Sequence, residues 1–246
     1  MRNNTRWLGA ASLACAGAWA MHGEVVMFGL GPDGISLPDG TGLGYANVQT
    51  TTTLPTAVSE LRVRLNLQPG AGGMVNGDIY ATVSYQASAT APITAYSVLV
   101  NRPGRDAGGG NEDGYYDNGM DVSLGSTGDD IHTYQLQTVP ALGSGVTGNW
   151  AADGRDVDPF DVVTGTPRTA GLGSFQGLNP NGVWTLYVED VMSGGLTKLM
   201  GWGLEWTPVP EPAGYGCVAA GALLLVGALR MRRRRMGIWQ ARGGAA

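Results

Sequence analysis

Cysteine is nearly missing from this chain. Two occur in 246 residues, Cys15 and Cys217, each inside an apolar run near one end. The stretch between them has none, which excludes an internal disulfide and a thiolate zinc site there. Histidine is as scarce, with only His22 and His132. His22 adjoins the N-terminal run, so the body of the chain has no histidine pair for zinc. A Ser-His-Asp triad needs an imidazole held between a nucleophile and a carboxylate, and no serine sits in Gly-x-Ser-x-Gly. His132 follows Asp129-Asp130 and reads as polar surface in a turn. No catalytic residue is assigned, and hydrolysis is not expected. Charge is thin at 14%. Apolar stripes of 3.6-residue period and repeats of 20 to 50 residues are absent, against a bundle, a solenoid or a propeller. Gly29-Leu-Gly-Pro-Asp-Gly34 matches a nucleotide-loop string, but Ser36, Pro38, Asp39 and Gly40 follow where a helix is required.

Glycine is abundant, at 41 residues. It clusters with Asn, Asp and Pro between short alternating segments, the pattern of strands joined by turns. The net charge of −5 is unevenly spread. Residues 21–209 hold 19 acids and 7 bases, a net of −12, whereas the last 17 residues hold six arginines and no acid. An acidic body argues against binding a phosphate backbone, so no nucleic-acid partner is expected.

Both ends read as processing segments. Arg2 and Arg6 precede an apolar run, and Ala18-Trp19-Ala20 fits the small-x-small rule for signal peptidase, with cleavage after Ala20. Ser12-Leu-Ala-Cys15 raises a lipoprotein alternative, with its leucine one position off the usual spacing. Near the other end, Ala213–Leu229 is an uncharged run of 17 residues. At about 1.5 Å per residue a helix there would be about 25 Å long, the lower edge of a membrane span. Arg230 and Arg232, Arg233, Arg234 and Arg235 follow, which places the tail on the cytoplasmic side and the body outside. Val209-Pro210-Glu211-Pro212 forms an extended entry to the span.

That ordered set resembles the PEP-CTERM sorting signal of Gram-negative bacteria over Val209–Arg235. The resemblance implies processing by exosortase, export through the inner membrane, transient anchoring, and release to the cell surface or outside. It further implies an extracellular polysaccharide or biofilm setting. Residues 236–246 extend beyond the usual stop. A plain single-span anchor is the simpler reading.

Period-two alternation recurs through the body. It places Leu61, Val63, Leu65 and Leu67 on one face, and Ile79, Ala81, Val83 and Tyr85 on another. It does the same for Tyr96, Val98 and Val100, for Met120, Val122 and Leu124, and for Tyr134 and Leu136. Trp184, Leu186 and Val188, then Trp202, Leu204 and Trp206, complete seven predicted strands. The expected fold is all-β, a jelly-roll-like β-sandwich. Residues 21–57 read as an irregular or edge-strand lead-in, residues 58–207 as the sandwich, and 208–235 as the sorting segment.

The segment Gly177-Leu-Asn-Pro-Asn-Gly-Val-Trp-Thr-Leu-Tyr-Val-Glu-Asp190, with Leu199-Met-Gly-Trp-Gly-Leu-Glu-Trp206 after a glycine-rich turn, resembles the P domain. This module accompanies subtilisin-like proprotein convertases. The resemblance spans about residues 58–207 with insertions near 104–119 and 138–171, and the protease module is missing. It implies a β-sandwich closed by a final hairpin and no chemistry of its own. Asn181-Gly182 would give a tight turn of positive φ, and Trp184 and Trp202 would anchor the core.

Two loops are acidic. One runs from Asp106 to Asp121 with Glu112, Asp113, Asp117 and Asn118. The other carries Asp153, Asp156, Asp158 and Asp161. Calcium takes six to eight oxygen ligands, and the second loop is its favoured candidate, weighed against plain solvated loops. The expectation is an exported, non-catalytic surface or matrix protein whose partners are exosortase, signal peptidase, a membrane and extracellular polysaccharide. The alternatives are a carbohydrate-binding module using Tyr115-Tyr116, Trp150 and Phe160, or a partner in trans of a subtilisin-like protease.

Overall fold

The computed structural model describes residues 24–54, 58–106, 111–141 and 143–208. The expected signal peptide with Ala18 and Ala20, the sorting motif, the span and the arginine cluster lie outside those residues. Among the described residues no helix is long and apolar enough to cross a membrane.

In chain order the strands are β1 (Glu24–Gly29), β2 (Ile35–Ser36), β3 (Tyr45–Thr51), β4 (Val58–Pro69) and β5 (Ile79–Gln86). They continue as β6 (Ile93–Asn101), β7 (Met120–Asp130), β8 (Val146–Ala151), β9 (Gly182–Asp190) and β10 (Thr197–Pro208). One sheet has the order β1-β10-β4-β7-β8, with β2 also on β10; the other has the order β3-β9-β5-β6. Neighbours are antiparallel except β7 and β8, which run parallel. Side chains from both sheets fill one shared core, giving an all-β, jelly-roll-like sandwich.

The alternation predicted for β4, β5, β7, β9 and β10 is the alternation seen. Leu61, Val63, Leu65 and Leu67 are buried, as are Trp184, Leu186 and Val188, and Trp202, Leu204 and Trp206. Each strand turns one face to the core because the side-chain period is two.

Residues 24–54 supply an edge strand to each sheet, β1 to one and β3 to the other; other expectations are corrected. β1 pairs along β10 from Glu24↔Trp206 to Gly29↔Gly201, and β3 pairs along β9. The segment β9–turn–β10 is not a hairpin, since β9 lies in one sheet and β10 in the other. Residues 191–196 turn the corner between them, with Gly194 donating to Asp39 across the gap. Gly182 does not adopt positive φ. It is glycine because a Cβ there would stand 2.5 Å from the Gln86 carbonyl oxygen on the neighbouring strand. Tyr134 and Leu136 lie in a 3-10 turn, Ile131–Leu136, started where Asp130 accepts from the His132 amide. In β6 the ladder shifts register, with Ala81 opposite Val100 and Thr82 opposite Val98. Leu99 is the extra residue of a bulge, which switches the inward face. Ala95 and Leu99 therefore join the core, while Tyr96 shares the outer face with Tyr80, their hydroxyls 3.2 Å apart.

β3 inverts the usual pattern. Asn47 and Thr51 face inward and are buried, whereas Val48 is 58% exposed. The core explains the inversion. A buried indole N–H costs about 1–3 kcal/mol when unpaired. Asn47 Oδ1 accepts from Trp202 Nε1 at 2.9 Å, and Thr51 Oγ1 accepts from Trp184 Nε1 at 3.2 Å. Thus β3 supplies the acceptor for Trp202 and one of the two for Trp184, whose indole also donates to the Pro180 carbonyl.

Candidate functional site

Parts of the two predicted insertions, residues 111–119 and 152–171, meet on Arg102. Among the described residues Arg102 is the only non-glycine with positive φ, at 44°. Such a backbone costs of order 1–3 kcal/mol and persists where the surroundings over-determine it. Those surroundings are specific. Arg102 Nε donates to the Gly77 carbonyl at 2.9 Å, and its NH2 group donates to the Glu112 carbonyl at 3.4 Å. The same guanidinium stands 3.8 Å from Asp78 Oδ1 and lies 5.8 Å from the centre of the Phe160 ring. Gly77 also donates its amide to the Tyr115 carbonyl. One buried arginine thus ties together the start of β5, the end of β6 and both insertions.

At this end two aromatic rings stand in solvent, Tyr116 at 67% and Phe160 at 54% exposure. The Tyr116 hydroxyl donates to Asp113 at 2.7 Å. Asp158 Oδ1 accepts from the Phe160 amide, so the turn that presents Phe160 is capped by its own loop. Glu112, Asp113, Asp156, Asp158 and Asp161 are all exposed.

Below this surface lie buried carboxyls. Burial pushes Asp78 up to about 7, opposed by Arg102 and helped by Asp190, Asp113 and Asp39. Burial also raises Asp190 to about 6, although a 2.6 Å hydrogen bond from Thr197 Oγ1 works against the shift.

A second buried assembly fastens the 152–171 insertion to β6 and β7. Asp153 is fully buried and accepts from the Asn101 amide, the Arg155 amide and Arg155 NH1. Its Oδ2 is 3.0 Å from His132 Nδ1. Arg155 NH2 donates to Asp130 Oδ2 at 2.7 Å. Despite opposing burial, that bond and the charge of Arg155 hold the Asp130 carboxyl below its ordinary value. His132 is therefore not a surface residue, as the sequence suggests, but a fully buried one. Its other nitrogen, Nε2, faces the Arg105 carbonyl at 3.2 Å. With both ring nitrogens closed by protein oxygens, it can reach neither a nucleophile nor a substrate.

The calcium set is not brought together. Asp153 points inward to His132 and Arg155, while Asp156, Asp158 and Asp161 are exposed. Among the described residues no group of three or more His, Cys, Asp or Glu side chains could hold a metal ion. Of the rings expected to stand exposed, Tyr116 and Phe160 do. Trp150 is buried in β8 and Tyr115 packs against the core. A recess of about 280 Å³ on the outer face of β4, β7 and β8 is lined by Arg64, Asp121, Ser123, Thr147 and Asn149, with no aromatic ring for a sugar to stack on. Sequence reasoning missed Arg102, for which only its position after β6 and before Pro103-Gly104 was a signal.

No protein-family model matches the chain, and no curated protein matches it. Among solved structures, the serine protease of Aeromonas sobria is similar over 76% of this chain and 26% of that one, at 13% identity and TM-score 0.39. The structure of that protease in complex with the chaperone is similar over 76% and 27%, at 14% identity and TM-score 0.37. The VP2 subviral particle of infectious bursal disease virus is similar over 88% and 50%, at 13% identity and TM-score 0.24. The chain thus spans about a quarter of the length of the first two. At these identities the likeness concerns the fold alone. The expected partners are not those that these two structures name. The two structures name a serine protease and a chaperone, and not the exosortase, signal peptidase, membrane and polysaccharide expected from the tails.

Proposed function

We propose that this protein is an exported, non-catalytic accessory β-sandwich that acts by binding a partner polypeptide, and that the partner is a subtilisin-like serine protease. The observation that carries the reading is the role of Trp184 and Trp202. They are the residues on which the P-domain resemblance rests, and both are fully buried and hydrogen-bonded to β3. The motif therefore serves the core, Trp202 bridging the two sheets and Trp184 bonding β9 to its neighbour β3, while the one histidine of the sandwich is sealed. Export rests on Arg2, Arg6 and the apolar run after them.

The test uses the tagged full chain purified from the cell that makes it. A fluorophosphonate probe labels serine hydrolases in the eluate, and labelled bands are sequenced. A subtilisin-like protease enriched over a tag-only control is the expected result. An eluate without such a protease, from both the cell and the medium, overturns the partner assignment.

A further inference from the structure

We infer that the loop end gathered on Arg102 is the docking face of the domain, and that its occupant is a lysine- or arginine-bearing surface of a partner protein. This deepens the proposed function and rests on its claim that a partner polypeptide is bound.

The first ground is the chemistry displayed. Phe160 and Tyr116 are the exposed rings of the two insertions, and Val157, in the same loop as Phe160, is 37% exposed. Aromatic side chains bury large area at little cost in rotamer freedom and dominate interface energetics. The second ground is charge. Five exposed acids come from the same loops: Glu112, Asp113, Asp156, Asp158 and Asp161. Among the described residues none of the five forms an ion pair with these loops' cations, although the charge of Arg102 acts on Asp113 and Arg168 is itself exposed. Arg102 and Arg155 are buried. Arg105 donates to the Val162 carbonyl, and Arg168 to the Asp153 and Ala152 carbonyls. Acids that flank both rings in sequence, with Asp113 bonded to the Tyr116 hydroxyl and Asp158 to the Phe160 amide, complement a basic surface and repel an acidic one.

The third ground is rigidity. The strained backbone of Arg102 and its bonds to Gly77 and Glu112 hold the described part of the first loop, and Arg155, bonded to Asp130, Asp153 and the Thr164 carbonyl, holds the second. A preordered face loses less entropy on binding. Other exposed apolar residues, such as Met27 on β1 and Val48 on β3, are set on strands and not on these acidic loops.

The test places a photo-crosslinking p-benzoyl-phenylalanine at position 160 or, in a second strain, at position 48 of the full chain, in the producing cell. Crosslinked peptides are identified by mass spectrometry. The expected result is a crosslink at 160, and none at 48, to a peptide rich in Lys or Arg. If that peptide belongs to a subtilisin-like protease, both readings stand. If it belongs to another protein, the docking face stands and the protease assignment falls. Crosslinks at 48 alone, at neither position, or at 160 to an acidic or apolar peptide overturn the docking face. With the identified partner, Phe160→Ala should weaken binding about 30-fold. Asp158→Lys with Asp161→Lys should weaken it about 10-fold or more in low salt and progressively less as salt rises. A charge-reversal effect that does not change with salt contradicts the electrostatic part.

Discussion

Asp78 offers a pH test of how the loop end is held. Its carboxyl is buried at the start of β5, with the Arg102 guanidinium 3.8 Å away. Burial keeps it protonated up to about 7, against an ordinary value of 3.8. The unfolded chain releases this proton near pH 4, and the folded chain keeps it. Stability from the group is therefore complete below about pH 4 and is lost as pH rises through 7. A carboxyl displaced this far corresponds to a total loss on the order of 4 kcal/mol, of which roughly 3 kcal/mol falls between pH 5 and pH 8. Total stability is typically about 5–15 kcal/mol, so the effect is measurable. Asp190, held at about 6, adds to the same trend. Because the two carboxyls repel when both ionise, their contributions do not simply add. Asp78→Asn supplies a neutral group of the same shape. Urea unfolding at pH 5 and pH 8, followed by fluorescence of the buried tryptophans, reads the difference. The wild-type midpoint should fall from pH 5 to pH 8. The variant midpoint should fall less, leaving the variant the more stable protein at pH 8. Parallel falls in the two proteins would refute the reasoning.

Further outcomes follow from the core. Asn47→Ala leaves the Trp202 indole N–H without its acceptor and should cost about 1–3 kcal/mol in urea unfolding. Thr51→Val should cost less, because the Pro180 carbonyl still accepts from Trp184 at 2.9 Å; equal costs would contradict the account of β3. Asp153→Asn removes the charge facing His132 and Arg155 in a buried setting and should cost about 3–5 kcal/mol, read as a lowered melting temperature. Gly182→Ala drives a Cβ against the Gln86 carbonyl and should destabilise by about 1–3 kcal/mol; an unchanged melting temperature would show that β9 can shift.

The parts of the fold that were legible in the sequence are those where one apolar face meets one core. β4, β9 and the Trp202–Trp206 stretch of β10 alternate because their outer faces meet water or polar neighbours, whereas a register shift between Leu199 and Gly201 breaks the pattern earlier in β10. β3 was illegible for a physical reason. Its inward residues Asn47 and Thr51 are polar because they serve tryptophans that lie far away in sequence. β6 was misphased because the bulge at Leu99 shifts the face, and no turn residue marks it. His132 looked like surface because its partner Asp153 lies 21 residues on and reaches it only when the second insertion folds over β6. The same pairing took Asp153 out of the calcium set. In the candidate site, the acids and aromatics of both insertions were visible as composition. Which rings stand exposed was not, because Trp150 and Tyr115 are drawn inward by β8 and the core. The convergence on Arg102 depends on backbone geometry that residue types do not encode.

Binding of the purified full chain to the subtilisin-like protease that co-elutes with it tests the central claim most directly. Titration calorimetry should show saturable one-to-one heat that weakens as salt is raised. No heat at any salt concentration, with both proteins folded, would contradict the claim that this sandwich is a protease-binding accessory domain.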